Sequence, residues 1–197
     1  MVDFKQVHPL GDLAALAKAH QFSGAGDPPI QIGVPARTVC AQLFASKGNE
    51  EKLEAKLKIS GEPGKVTNSR NSTTLPLAPG QWMVLAKEPD DNFASKLAKR
   101  VKGLGYVSQQ SDSRIRISIS GSKARQLMSR GCRLDLEGGN MQAGYCAQTT
   151  MAQVGVLLHQ SSDEPSYDVF VYSGFARSFF DWLIHTSEQF GCEVSEI

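Results

Sequence analysis

The sequence predicts an α+β protein built from two related strand–helix–strands–helix units, with helices layered on mainly antiparallel sheets. Three observations carry that prediction. Short strand-like apolar runs alternate with amphipathic helical stretches along the chain, a pattern that calls for helices packed on sheets. The order strand, helix, strands, helix occurs twice. Two strand-plus-helix segments also share one spacing: Gly105 lies 24 positions after Gln81, and Gly191 lies 24 after Tyr167. The expected division is an N-terminal helix and extended arm over 1–35, a first unit over 36–111 and a second over 112–197, packed as one body.

The elements follow in order. Residues 10–20 predict a short helix with Asp12 as its cap and Leu13, Leu16, Ala17 and His20 on one face. The Gly- and Pro-rich stretch after it reads as an extended arm. Thr38–Phe44 is a strand. Asn49 is expected to cap a helix whose first turn holds Glu50 and Glu51, with Leu53 and Leu57 inward and Glu54–Lys58 paired outside. Ser60–Thr74, rich in breakers and without periodicity, reads as a mobile surface loop. Leu75–Ala86 predicts two strand pieces turned by Pro79-Gly80. A helix over Asp91–Lys102 turns Phe93, Leu97, Val101 and Leu104 inward, and its outer Lys96, Lys99, Arg100 and Lys102 form a solvated basic stripe.

Arg114–Ser120 alternates polar residues with isoleucine, a half-buried strand. Gly121–Arg130 predicts a helix with Ala124, Leu127 and Met128 inward and Gly131 placed to stop it. Strands follow at Tyr145–Thr149, Gln153–His159 and Tyr167–Tyr172. The last helix spans Gly174–Phe190 and ends at Gly191. Phe175, Phe179, Trp182, Leu183, Thr186 and Phe190 form one stripe on it. Phe180 and Ile184 lie about 140° round from Phe175, more apolar arc than one core face requires. Either the chain's own halves or another subunit must cover that excess.

Composition narrows the function by exclusion. With 21 Lys plus Arg against 20 Asp plus Glu and a net charge of +1, no field draws nucleic acid or an acidic membrane. Gly138–Ser162 carries no charged residue but is too polar for a bilayer core. The N-terminus lacks the apolar run of a signal peptide, so Asn71-Ser72-Thr73 reads as a chance sequon and the protein as cytoplasmic. Cys40, Cys132, Cys146 and Cys192 show no metal-ligand spacing and are expected to be reduced and structural. His8, His20, His159 and His185 are scattered, and no nucleophile elbow, dinucleotide fingerprint or phosphate loop is present. Glu137-Gly138-Gly139 reads as a turn, Asp90-Asp91 and Asp163-Glu164 as solvated turns. Arg114, Arg125, Arg133 and Arg177 are the isolated candidates for binding a carboxylate or phosphate.

Five runs in order carry a resemblance. Leu77-Ala78-Pro79-Gly80-Gln81-Trp82-Met83-Val84-Leu85 is similar to an LGPxEW-type strand. Ser111-Asp112-Ser113-Arg114 with Ser120-Gly121-Ser122-Lys123-Ala124-Arg125 follows, then Gly131-Cys132-Arg133-Leu134-Asp135-Leu136. Cys146-Ala147-Gln148-Thr149 is the fourth, and Phe175-Ala176-Arg177-Ser178-Phe179-Phe180-Asp181-Trp182-Leu183 with Phe190-Gly191 closes the series. From about residue 30 to 191 the chain resembles the gamma subunit of heterotetrameric sarcosine oxidase. Gln81 stands where the family has Glu, Ser113 at a common Gly position, and Ser173-Gly174 in place of an Arg-Ser pair.

The resemblance implies a fold similar to the folate-binding domain of the glycine-cleavage T protein. It also implies a non-catalytic role in assembling and stabilising the large subunit of a complex that demethylates sarcosine to glycine, with tetrahydrofolate as one-carbon acceptor. It implies alpha, beta and delta partner subunits, chiefly alpha, and places FAD, FMN, NAD, tetrahydrofolate and zinc in those partners, with none in this chain. Phe180, Ile184, Arg177 and Trp82 are the expected interface residues. The alternative is a free-standing folate-binding protein of the T-protein superfamily.

Overall fold

In Arg114–Ser120 the three isoleucines are buried and the residues between them are only partly covered, the signature of a strand with one face on an apolar core. The computed structural model, which describes residues 8–19, 21–22, 29–137 and 141–197, builds its layers from many such strands. The first unit's elements follow α1 (Leu13–Ala19), β1 (Gln21–Phe22) and β2 (Ile30–Val34). They are β3 (Cys40–Ala45), α2 (Glu50–Leu57), β4 (Thr67–Asn68), β5 (Ser72–Ala78), β6 (Gln81–Ala86), α3 (Phe93–Arg100) and β7 (Gly105–Gln109). The second run is β8 (Arg114–Ser120), α4 (Ala124–Ser129), β9 (Tyr145–Met151), β10 (Val154–Ser162), β11 (Ser166–Tyr172), α5 (Ala176–Ser187) and β12 (Cys192–Glu196).

Two sheets result, one ordered β4-β5-β6-β3-β7 and the other β1-β12-β2-β8-β11-β10-β9. Neighbouring strands are antiparallel except β12 beside β2. The expected mainly antiparallel α+β architecture with a repeated unit is therefore what forms: β4-β5-β6-β3 in one sheet answers β9-β10-β11-β8 in the other. The repeat breaks at its last strand. β7 pairs directly with β3, whereas β2 lies between β8 and β12.

Side-chain alternation sorts the core into three parts. Leu53 of α2 and Leu97 of α3 pack with Ala41, Leu43, Trp82 and Val84 on the outer face of the five-stranded sheet. Ile115, Ile117, Ile119, Val169 and Val171 meet α4 and α5 on the outer face of the seven-stranded sheet. The inner faces meet through Cys40, Leu75, Met83 and Leu85 against Cys146, Leu157 and Phe170. The order is helices, sheet, sheet, helices.

Several expectations change. Ser60–Thr74 is not a free loop. Val66 N donates to Gly144 O at 2.8 Å, Cys146 N donates to Gly64 O at 2.7 Å, and the Tyr145 hydroxyl donates to Glu62 at 2.7 Å. The segment straps the two sheets together and then pairs as β4–β5, so its polar backbone is used although its side chains show no period. Asn49 occupies the cap of α2 without a side-chain hydrogen bond, and Lys58 adopts φ 56°, beyond the helix rather than paired with Glu54 along it. Asp12 does cap α1, accepting from Ala15 N at 3.1 Å. Gly131 is not the stop of α4: the helix ends at Ser129 with Arg130 as its cap, and the glycine serves instead to admit the Trp182 ring, which a Cβ there would meet. The N-terminal arm contributes β2 to a sheet. His20, Gly138 and Gly139 lie outside the described residues.

Candidate interaction surface

The last helix is set in place at its start. Ser173 N donates to Ser113 O at 2.9 Å and Ser173 Oγ donates to Asp112 O at 2.8 Å, pinning the turn between β11 and α5 to the start of β8. A 3-10 turn over Ser173–Phe175 precedes α5, and a second over Glu188–Phe190 leads to Gly191 at φ 74°. That glycine takes a positive φ that disfavours other residues, but its ψ of 138° makes it an extended exit into β12 rather than the left-handed helix stop expected.

The apolar excess of α5 is covered by the chain itself. Phe180 is 1 % exposed and Ile184 5 % exposed, both within the helix-side core of the seven-stranded sheet. Phe179 and Trp182 stack obliquely with ring centroids 5.6 Å apart, and Trp182 fills the space that Gly131 leaves open. Trp82 is buried on the other sheet, its Nε1 donating to Ser60 O at 3.2 Å. Of the four residues expected at an interface, Arg177 alone stands in solvent, ion-paired with Asp181 one turn on at 3.0 Å.

What the surface presents instead is the approach to α5. Phe175, expected on the buried stripe, is 55 % exposed, and Tyr172 is 46 % exposed. The Arg114 guanidinium lies 4.0 Å from the centre of the Tyr172 ring, and its Nη2 donates to the Tyr172 hydroxyl at 2.7 Å. Stacking holds both long side chains in one conformation before any partner arrives. Exposed aromatics beside arginine match the composition of interface hot spots. The sequence does not single out Tyr172: it shares a strand face with the buried Phe170, so alternation alone would bury it.

The isolated candidates do not converge. Arg125 Nε donates to the Tyr167 hydroxyl at 3.3 Å, Arg133 is exposed, and Arg114 and Arg177 are held as described. His8 accepts from Leu10 N, and burial pushes its pKa below the ordinary value against the opposing pull of Glu196. His159 is buried with Nδ1 3.4 Å from Asp168, while His185 is exposed 3.7 Å from Glu188. Asp90 is ion-paired with Lys96, and that hydrogen bond lowers its pKa. Among the described residues, no group of three or more His, Cys, Asp or Glu could hold a metal ion, and no helix is long and apolar enough to cross a membrane.

No protein-family model and no curated protein sequence matches the chain. Solved structures do. One is heterotetrameric sarcosine oxidase from Corynebacterium sp. U-96 in complex with pyrrole 2-carboxylate, a chain of which matches with TM-score 0.81 at 21 % identity, covering 94 % of this chain and 96 % of that one. The likeness is one of fold. Glycine cleavage system aminomethyltransferase T from Bartonella henselae matches with TM-score 0.63 at 16 % identity, over 97 % of this chain and 52 % of that protein. The chain thus spans about half the length of the T protein and nearly the whole of one sarcosine oxidase chain.

Proposed function

We propose that this chain is the gamma-type subunit of a sarcosine oxidase complex, a packing subunit that assembles with the large alpha subunit and stabilises it. The observation that carries the reading is the end-to-end match with a single chain of a heterotetrameric sarcosine oxidase, 94 % of this chain on 96 % of that one. The ordered motifs in the sequence, the exposed Arg114–Tyr172 pair and the exposed Phe175 that follows it on the chain support it. In this reading the complex oxidatively demethylates sarcosine to glycine with tetrahydrofolate as acceptor, and the cofactors reside in the alpha, beta and delta partners. The chain then contributes surface, and the Arg114–Tyr172 pair with Phe175 is the contact.

Co-expression with the products of neighbouring genes tests it. The chain alone is expected to be colourless and inactive, and to co-purify with flavin-containing subunits. Tight binding of tetrahydrofolate by the isolated chain, with no stable complex, would overturn the subunit reading and favour a free-standing folate-binding protein of the T-protein superfamily.

A further inference from the structure

We propose that β7, the outer strand of the five-stranded sheet, is extended by a β-strand from the large partner subunit. The inference rests on the subunit reading above and adds where and how that partner is held. β7 closes the order β4-β5-β6-β3-β7. Gln110 N donates to Cys40 O at 2.9 Å and Ser46 N donates to Leu104 O at 2.8 Å, so in the β3–β7 register Tyr106 and Ser108 are the residues that bond to β3. Val107 and Gln109 therefore turn their N–H and C=O groups away from the sheet, and among the described residues nothing pairs with them. The other sheet edges are short or covered. β1 and β4 have two residues each, and β9 is flanked by Lys65, bridged to Tyr145, and by Cys132, bridged to Met151. β7 has five residues, Gly-Tyr-Val-Ser-Gln, without charge, proline or bulge, and so lacks the devices that keep an edge from pairing.

Two observations say what fills the edge. The duplicated unit supplies the first: beyond β8, which answers β3, its sheet continues through β2, β12 and β1, and β2 is drawn from outside the unit. The first unit's sheet ends one strand past β3. The second observation is continuity with the Arg114–Tyr172 surface. Tyr106, 69 % exposed, stands opposite Phe44 on the face turned toward the other sheet, because Leu43 and Val107 beside them belong to the helix-side core. Ser108 shares that face. Gln110 Nε2 donates to Ser108 Oγ at 3.1 Å, Ser113 Oγ donates to Gln110 Oε1 at 2.7 Å, and Ser113 O holds the N–H of Ser173, next to Tyr172. One partner can therefore lie across Tyr172 and reach β7. Hydrogen bonds to the backbone of Val107 and Gln109 supply affinity, and an aromatic or β-branched residue laid on Tyr106 supplies selectivity. Five residues of strand span about 17 Å, so a short extended segment of the partner suffices.

The test compares the isolated full chain with the complex obtained by co-expression, following backbone amide exchange resolved to single residues. In the isolated chain the Tyr106, Ser108 and Gln110 amides are expected to exchange slowly and those of Val107 and Gln109 fast. In the complex the latter two should slow at least about tenfold. Gln109→Pro removes an outward N–H and leaves the bonds to β3 in place, and it should weaken partner binding at least about tenfold. Gln109→Ala keeps that N–H and should bind as the wild type does. Tyr106→Lys puts on the exposed face the kind of charge that protects natural edges; it should weaken binding as well, and it decides the matter if the proline variant melts early. Val107 and Gln109 amides that still exchange fast in a stable complex would overturn the proposal, as would full affinity in the folded variants. Dimerisation of the isolated chain that Gln109→Pro abolishes would give the edge to a second copy and overturn it too. A wild-type chain that captures no partner refutes the subunit reading itself, and this inference with it.

Discussion

Phe180 and Phe175 are neighbours in the same motif with opposite environments, and substituting each in turn measures the difference. Phe180 is 1 % exposed and Phe175 55 % exposed. Phe180→Ala removes a ring from a closed core, which costs about 3–5 kcal/mol in transfer and cavity terms. For a chain of this length each kcal/mol moves the melting temperature by about 2–4 °C, so a drop of roughly 6–20 °C is expected. Because that is a large part of a typical stability of about 5–15 kcal/mol, Phe180→Leu serves as the milder variant, expected to cost about 1 kcal/mol or somewhat more. Phe175→Ala, on the surface, should stay within about 0.5 kcal/mol. Thermal melts and urea midpoints of the isolated chain read both, and co-purification with partner subunits reads the surface. Phe175→Asp is expected to lose the partner while melting as the wild type does. A cost below about 1 kcal/mol for Phe180→Ala, or an equal cost for Phe175→Ala, would refute the placement of this helix.

The thiols and one hairpin give two further expectations. Cys40, Cys146 and Cys192 are buried and Cys132 is partly buried, so a thiol reagent should label Cys132 faster than the other three in the native chain and all four cysteines after denaturation; labelling of another at the rate of Cys132 contradicts the packing. Burial pushes the Cys40 thiol up to about 11 and Cys146 up to about 12 from 9.0. The native state therefore holds protons that the unfolded chain releases, so this contribution is intact below pH 9.0 and is lost as pH rises through about 11 to 12. Urea midpoints should fall over that window, less steeply in Cys146→Ala. The two-residue turn Ala152-Gln153 has φ of 49° and 64° between paired Met151 and Val154. Left-handed backbone is costly for side-chain-bearing residues, so Gln153→Gly should raise the melting temperature by about 1–3 °C, and a fall would contradict the turn geometry.

The sequence was most legible where a single period governed an element. The isoleucines of β8, the inward Leu97 and Val101 near α3, and Gly191 after the last helix all stand as their spacing indicates. Phe175 left its stripe because the helix begins with a 3-10 turn, whose tighter winding puts it out of phase with the α-helical positions after it. β7 and β12 are five residues each with sparse burial, and their pairing is set by distant neighbours rather than by their own pattern. Phe180 and Ile184 exceed the needs of one sheet face, but the number of faces converging on a helix is a tertiary fact.

The placement of β2 also bears on the order of assembly. All pairings of the five-stranded sheet join residues between Cys40 and Gln109, so that half can close as soon as its own strands exist. The other half cannot. Its β8 and β12 are bridged by residues 30–34, which are synthesised before the whole first half and must wait for partners at 118–120 and 192–196. Such distant pairing carries a large loop-closure cost before it is rewarded. Without residues 30–34, β8 and β12 would stand about 10 Å apart across an empty strand position, each with an unpaired hydrogen-bonding edge. The duplication is thus an interlock: the earlier-made half holds all its own strands but still needs the other sheet to cover its inner face, and the later one is completed only by borrowing a strand from in front of it.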